Sequence, residues 1–423
     1  MTESALQLYP CRESLPIVRH RTGIGKVAVG LLIGMLAQPA AAQVGASLPL
    51  KLAVVLGGSV TSDANLFRLP ASVDPLLAVG KSDKSDRISI AYVGLRLDKS
   101  LAQQRFQLDV TKTTYRYNSF TFLDFDALDY RGAWLWHLTP RVSGTLSTDH
   151  RQALVPFADF RGFQRNVSNT DRRSFTLDGS LAGGWHLLLG VFAGETKYDQ
   201  IFLSQPSART NGAEVGLRYL AASGSSVTAT RRSSKGSTLD QPLDSVNFID
   251  NGFRLQESEL QSEWLVSGKS MLTGRLAWIE RRHEHFAQRD FSGLAGNLDY
   301  TWTPTGKLRL AVSARRDIGA YWDAISSYTV SDSLSFTPTW QASTKIALRI
   351  RLDCAQRDYR GPVIANPGPL RDETLCSAGL GADWSPLRYA TFSANLQRDR
   401  RTSNYSAFDF DDTIAVVSAS LAF

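Results

Sequence analysis

Between Lys345 and Cys354 the chain alternates strictly, and no other feature narrows its fold so far. Ile346, Leu348, Ile350, Leu352 and Cys354 fall on one parity, while Lys345, Arg349, Arg351 and Asp353 fall on the other. Period two is the signature of a β-strand, with successive side chains on opposite faces. A soluble sandwich buries one face of each sheet against the other, and a face carrying this much charge cannot be buried without partners. Turning that face to lipid is no better, because an arginine at mid-membrane costs about 2–4 kcal/mol. The charged face therefore lines a watery interior and the apolar face meets hydrocarbon.

The C-terminus repeats the pattern. Val417, Ala419, Leu421 and the terminal Phe423 share one face, leaving Ile414, Val416, Ser418 and Ser420 to point inward. A terminal aromatic on an alternating last strand resembles the signal by which the outer-membrane assembly machinery recognises a β-barrel, with Phe423, Leu421 and Ala419 carrying it. At the other end, Arg19, Arg21 and Lys26 precede an apolar run from Val27 to Ala37, followed by Pro39-Ala40-Ala41-Ala42. These are the three parts of a secretory signal peptide cleaved after Ala42, and the run is short for a membrane span. The expected division is thus a leader over residues 1–42 and one barrel over 43–423; the leader is long enough that Met1 is open to question as the true start. The chain's mean hydropathy is slightly negative, as expected of strands that hide their apolar residues in every second position.

Punctuation along the mature chain is regular. Leu138-Thr139-Pro140, Thr303-Pro304-Thr305-Gly306, Thr337-Pro338-Thr339 and Ser385-Pro386 each follow an alternating run. Proline lacks a donor and marks strand ends, so these read as short turns. Longer polar stretches, Ser62 to Ser85, His150 to Asp171, Ser233 to Asn251, Arg357 to Leu370 and Arg401 to Asp409, read as loops at the opposite end. Trp136, Trp302, Trp340 and Trp384 sit beside the short turns, where an inner aromatic girdle belongs. The expected fold is all-β, a transmembrane antiparallel barrel of about 18 strands with 16 as the alternative, short periplasmic turns and long extracellular loops. The register of Ile88 to Leu97 and Leu187 to Ala193 stays open, since apolar residues fall on both parities.

Several strings are longer than composition explains: Asp63-Ala64-Asn65-Leu66-Phe67-Arg68-Leu69-Pro70, Leu128-Asp129-Tyr130-Arg131 through Trp134 and Trp136 to Ser143-Gly144-Thr145-Leu146, Phe157-Ala158-Asp159-Phe160, and Arg289-Asp290-Phe291-Ser292-Gly293-Leu294 with Leu298-Asp299-Tyr300-Thr301-Trp302-Thr303-Pro304. On these strings the chain resembles the exosortase-associated exopolysaccharide-biosynthesis outer-membrane barrels of the EpsL type, a porin-like family. The resemblance implies an outer-membrane barrel of a Gram-negative bacterium that takes part in extracellular polysaccharide biosynthesis or export, as a conduit or envelope component. It carries over no functional residue. A general diffusion porin and an outer-membrane polysaccharide hydrolase or lyase are the alternatives.

Charge gives the independent clue. The chain holds 47 Lys and Arg against 40 Asp and Glu, for a formal net charge of +7. Many strands end in basic residues toward the long loops: Arg231-Arg232, Arg281-Arg282, Arg315-Arg316, Arg357, and Arg398 with Arg400-Arg401. Parity places Arg275, Arg281, Arg309, Arg315, Arg349, Arg351 and Arg357 in the lumen as a candidate basic track, since guanidinium forks bind anions bidentately and a basic constriction concentrates anionic solutes. The competing use of the same residues is structural: outer basics contact lipopolysaccharide phosphates, and luminal arginines pair with Asp317, Asp353, Asp358 and Asp399 to brace the wall. Tyr115, Tyr117, Phe120, Phe122 and Phe125 at one loop, and Tyr321, Trp322 and Tyr328 at another, read as an outer girdle or as a stacking surface for sugars.

Enzyme chemistry finds little support. His283-Glu284-His285 lacks a third metal ligand, and Asp124-Phe125-Asp126 is an acidic pair with no cleft around it. No cofactor, metal or catalytic residue is expected, nor is nucleic acid, despite a pI near 9.3. Of the three cysteines, Cys11 lies in the leader, and hairpin pairing would bring Cys354 and Cys376 to one height and one face, within reach of a disulfide. The partners expected are outer-membrane lipid and lipopolysaccharide, the barrel-assembly machinery, an extracellular polysaccharide and periplasmic polysaccharide export proteins.

Overall fold

A computed structural model describes residues 50–423 except 159–160, 201–205, 247, 322–324 and 365–367. The expected leader, Cys11 and Trp322 lie outside the described residues. The chain forms β1 (Leu50–Asp63), β2 (Asp86–Leu101), β3 (Gln104–Tyr117), β4 (Phe125–Thr139), β5 (Val142–Leu154), β6 (Val167–Ser180), β7 (Trp185–Tyr198), β8 (Ala208–Leu220) and β9 (Ser226–Thr238). It continues as β10 (Gly252–Ser267), β11 (Ser270–His283), β12 (Phe291–Thr305), β13 (Leu308–Ala320), β14 (Ser326–Gln341), β15 (Ile346–Pro362), β16 (Asp372–Leu387), β17 (Ala390–Ser403) and β18 (Phe410–Ala422). The 18 strands make one antiparallel sheet in sequence order, and β1 pairs with both β2 and β18, so the wall closes and leaves no edge.

Closure is completed by the last residue. The Phe423 backbone N–H donates to Val54 O (2.9 Å) and its carbonyl accepts from Val54 N (3.0 Å), while its ring stacks on Tyr389. Both ends of the wall lie at the short-turn end. There the hairpin connections span 102–103, 140–141, 181–184, 221–225, 268–269, 306–307, 342–345 and 388–389, whereas the opposite end carries the longer connections. Strands of 13–17 residues exceed the roughly 9–11 needed to cross the hydrocarbon, so they project beyond it.

Alternation is visible in exposure. Leu187, Leu189 and Val191, Leu348, Ile350 and Leu352, and Val417 stand exposed on the outer face. Trp264, Trp302, Trp340 and Trp384 are exposed near the short turns, and Trp136 is half-buried against Phe175, so the aromatics form the inner girdle. Both open registers resolve. Ile88 and Ile90 face inward while Val93 and Leu95 face lipid; Leu188 and Phe192 face inward while Leu187, Leu189 and Val191 face lipid.

Three expectations need correction. Thr337-Pro338-Thr339 is not a turn but lies within β14; the β14–β15 register holds from Phe336↔Leu352 to Thr339↔Arg349 with the ladder interrupted between them, where proline has no donor to offer. Ser385-Pro386 likewise lies within β16, at a register shift between Trp384 and Leu387. The loops are shorter than their polar stretches, because β5 runs on to Leu154, β9 to Thr238, β15 to Pro362 and β17 to Ser403. Polar residues continue the ladder there because the strands have already left the lipid.

Candidate functional site: the lumen and its outer mouth

Inward parity is shared by Arg275, Arg281, Arg309, Arg315, Arg349, Arg351 and Arg357, but their surroundings divide them. Arg275 donates to Glu259 (Nε–Oε2 2.7 Å) and to Glu257. The Arg281 guanidinium lies 3.5 Å from the centre of the Phe253 ring. Arg349 pairs with Asp383 at 2.5 Å, Arg351 with Asp353 at 2.5 Å and Arg357 with Glu373 at 3.2 Å. Of the expected brace acids, Asp353 takes this role, Asp358 turns to Arg360, and Asp399 sits by Arg68 and Asp412. Among the described residues, Arg309 and Arg315 have no ion pair or hydrogen bond. On the inner face of β13 they are flanked by register partners Asn297, Ser333 and Thr339.

The bracing extends to acids that sequence reasoning missed. Glu214, Arg232, Glu257, Arg275 and Glu259 form one chain across β8 to β11: Arg232 binds Glu214 at 2.7 Å and Glu257 at 2.8 Å, and Glu257 passes the contact on to Arg275. Its side chains are 17% exposed or less, so each charge relies on these partners. Glycines make room for the aromatics beneath. A Cβ at Gly236 would lie 2.1 Å from the Phe253 ring, and one at Gly212 2.5 Å from Phe192, whose ring underlies Arg232. Only the strand register reveals these acids as partners, so periodicity alone gave no signal for them.

At the outer mouth the loops turn inward. In the β1–β2 loop, residues 64–85, Leu66, Phe67 and Leu69 pack against Ile88, Tyr115, Tyr117, Phe120, Leu123, Phe125 and Phe157. Tyr115, Tyr117, Phe120 and Phe125 are thus core residues beneath the loops, neither girdle nor sugar surface; Phe122 alone of that group is exposed. At the second aromatic group, Tyr321 is buried edge-on to Tyr359, and Tyr328 stacks on Phe291. Those rings are thus packed against neighbouring rings.

Arg68 locks that loop. Its φ of 56° lies in the left-handed region, and its guanidinium bridges Asp63 (2.9 Å) and Asp412 (3.0 Å) on the two strands of the closing seam. Burial works against its charge, but Asp63 and Asp412 outweigh it and hold the pKa above the ordinary value. The β5–β6 loop, residues 155–166, is tied on as well: Arg161 donates to Arg68 O (2.8 Å), and Arg401 of β17 donates to Ala158 O (2.8 Å). Arg371 lies 3.5 Å from the Phe408 ring centre and binds Glu373 at 2.7 Å. Together these contacts build a shelf across the β17–β18–β1 side of the opening.

The remaining candidates serve local structure. His283 turns its Nδ1 to Asp290 and His285 to Asp250, so the two histidines hold the β11–β12 loop at separate carboxylates. Among the described residues no group of three or more potential metal ligands gathers. Asp124 accepts from Tyr117 N (2.7 Å) while Asp126 pairs with Arg116. Cys354 and Cys376 are register partners with Cα atoms 4.1 Å apart, joined as a disulfide on the outer face of β15 and β16.

A closed barrel with a charged inner face, an apolar outer belt and both ends of its wall on the short-turn side defines a porin-like protein of the Gram-negative outer membrane. Residues 270–423 match the family model described as "Putative beta-barrel porin 2". No curated protein matches the chain. Among solved structures, OccK2 (OpdF) of Pseudomonas aeruginosa is similar over 88% of this chain and 98% of its own, with TM-score 0.50 and 12% identity. OccK9 (OpdG) of the same organism is similar over 88% and 98%, with TM-score 0.49 and 11% identity. At such identities the likeness is one of fold.

Proposed function

We propose that this barrel is a diffusion porin passing small hydrophilic solutes, with a preference for anions set at the β13 wall. The observation that carries this reading is the pair Arg309 and Arg315, which face the lumen beside Asn297, Ser333 and Thr339 and, among the described residues, form no direct ion pair, although Asp299 and Asp317 line the same face. A luminal guanidinium that no carboxylate binds directly raises the local concentration of anions. The other track arginines, Arg275, Arg349, Arg351 and Arg357, are held by acids and brace the wall. The loop shelf at the mouth favours small solutes over the polymer that the exopolysaccharide resemblance implies, because a growing chain needs an unobstructed exit.

Planar-bilayer recordings test the proposal. Arg309→Gln with Arg315→Gln should lower the anion-to-cation permeability ratio at unchanged fold, whereas Arg349→Gln with Arg351→Gln should leave the ratio alone and reduce thermal stability. An unaltered ratio in the first variant, or a wild-type protein without conductance steps, would overturn it. Normal conductance combined with loss of polysaccharide secretion in a deletion strain would instead favour the export reading.

A further inference from the structure

On the outer face of β9, β10 and β11, three cations occupy directly opposed register positions: Lys235 pairs with Arg254, and Arg254 with Arg282. Neighbouring strands lie about 5 Å apart, so the row puts three positive charges within roughly 10 Å. Like charges in opposed positions repel and destabilise a sheet unless something offsets them. Only Arg282 has an acidic partner, Glu280 at 2.6 Å. Among the described residues, Lys235 and Arg254 have none. Four residues closer to the membrane on β9, in the row of Ser258 and Trp278 and at the rim of a furrow in the wall, Arg231 also faces outward; its side chain is held by the neutral acceptors Ser258 and Gln256 and has no acidic partner among the described residues.

Beneath this cluster the lipid-facing wall is hollowed. A furrow of about 580 Å³ lies between Leu217, Leu260, Leu276, Trp278 and Leu294, with Ala229 as its floor. It exists because Ala229 has only a methyl group where its register neighbours Leu217 and Leu260 stand out from the wall. Trp278 is the register partner of Ser258 and marks the outer interface; Arg254 and Arg282 lie four residues farther along their strands. At a rise of about 3.3 Å per residue on a tilted strand, that is roughly 10 Å above the tryptophan, at headgroup height.

We propose that Lys235, Arg254, Arg282 and Arg231 with the furrow below them form a binding site for a phosphorylated glycolipid of the outer leaflet. The cations take its phosphates, and the furrow takes an acyl chain. The two parts are stacked in the order in which such a lipid presents headgroup and chain, and neither a free anion nor an uncharged lipid would use both. The site lies on the lipid side of the wall, so it is independent of what passes through the lumen.

Native mass spectrometry of the detergent-extracted barrel, titrated with diphosphorylated lipid A, tests it. The variant Lys235→Gln/Arg254→Gln/Arg282→Gln should retain the lipid on the order of 100-fold more weakly, each base near an anionic surface contributing about fivefold. Arg254→Gln alone, a single outward change in the middle of the row, should lose about fivefold and serves if the triple variant does not assemble. Ala229→Phe, which fills the furrow and leaves every charge in place, should weaken lipid A binding as well. Wild-type retention by a heat-modifiable Arg254→Gln or triple variant would refute the site. Complete displacement of lipid A by equimolar inorganic phosphate would reduce it to a simple anion site, and wild-type retention by Ala229→Phe would remove the furrow from it; either result overturns the proposal as stated.

Discussion

Replacing Glu257 by glutamine tests the internal brace at its centre. Its carboxylate is 7% exposed and accepts from Arg232 through one oxygen and Arg275 through the other. Glutamine keeps the shape but turns an N–H toward one guanidinium, where donor meets donor. Hydrogen bonds to charged groups contribute about 1.5–3 kcal/mol each, and stripping one partner from a buried ion pair costs about 3–5 kcal/mol. Each arginine here keeps a second carboxylate, Glu214 for Arg232 and Glu259 for Arg275, so the lower end applies. The expected loss is about 3 kcal/mol. Reversible urea unfolding from lipid vesicles measures it, with Glu259→Gln as control, which touches the same chain only at its end and should cost about half as much. A Glu257→Gln barrel within about 0.5 kcal/mol of wild type, the range of an ordinary surface change, would show that the chain of charges does not brace the wall.

Three further outcomes follow from the geometry. Burial of Asp250 is outweighed by the His285 ring and by the N–H groups of His285, Gly252 and Phe286, which hold its pKa below the ordinary carboxylate range. Its contribution to the 284–290 loop is therefore complete above about pH 4 and fades as pH falls through the lower folded value; proteolysis of that loop across pH should show it, and Asp250→Asn should raise cleavage at neutral pH. Cys354→Ser should leave one titratable thiol in the denatured, unreduced barrel of residues 43–423, where the wild type has none; two free thiols in the wild type would contradict the cross-strand pairing. Deleting Phe423 removes two seam hydrogen bonds and should slow assembly, read as a delayed shift in heat-modifiable gel mobility.

Strands whose two faces differ in chemistry were legible in the sequence, and β15 is the plainest, with Ile350 and Leu352 outside and Arg349 and Arg351 inside. Ile88 and Ile90 were not, because they face a local core formed by a loop folded into the barrel, and no local pattern announces a distant loop. Phe192 was ambiguous for a related reason: it fills the space left by Gly212 on the neighbouring strand. Pro338 read as a strand end because a proline's missing donor matters only where the ladder needs it, and that depends on the partner strand. The basic residues were visible as basic; which of them were neutralised was not, since Glu257 and Arg275 are 18 positions apart and meet only through the register. The row of Lys235, Arg254 and Arg282 was hidden in the same way.

The seam between β1 and β18 also sets an order in time. Every other pairing in the wall joins consecutive strands, so each hairpin has both halves soon after it emerges from synthesis. Val55 to Asp63 must wait for Ile414 to Ala422, which lie at the far end of the wall and are made after every other strand. Until then the first strand carries an open edge rich in Leu, Val and Gly, from Leu52 to Gly58, with no proline or charge to discourage a stranger from pairing with it. Loop closure over so long a span is slow, and an unpaired apolar edge is prone to aggregate while it waits. The periplasmic journey of this chain is consequently its most vulnerable period, and a holding chaperone that covers the first strand would do more for its yield than any gain in the stability of the finished barrel.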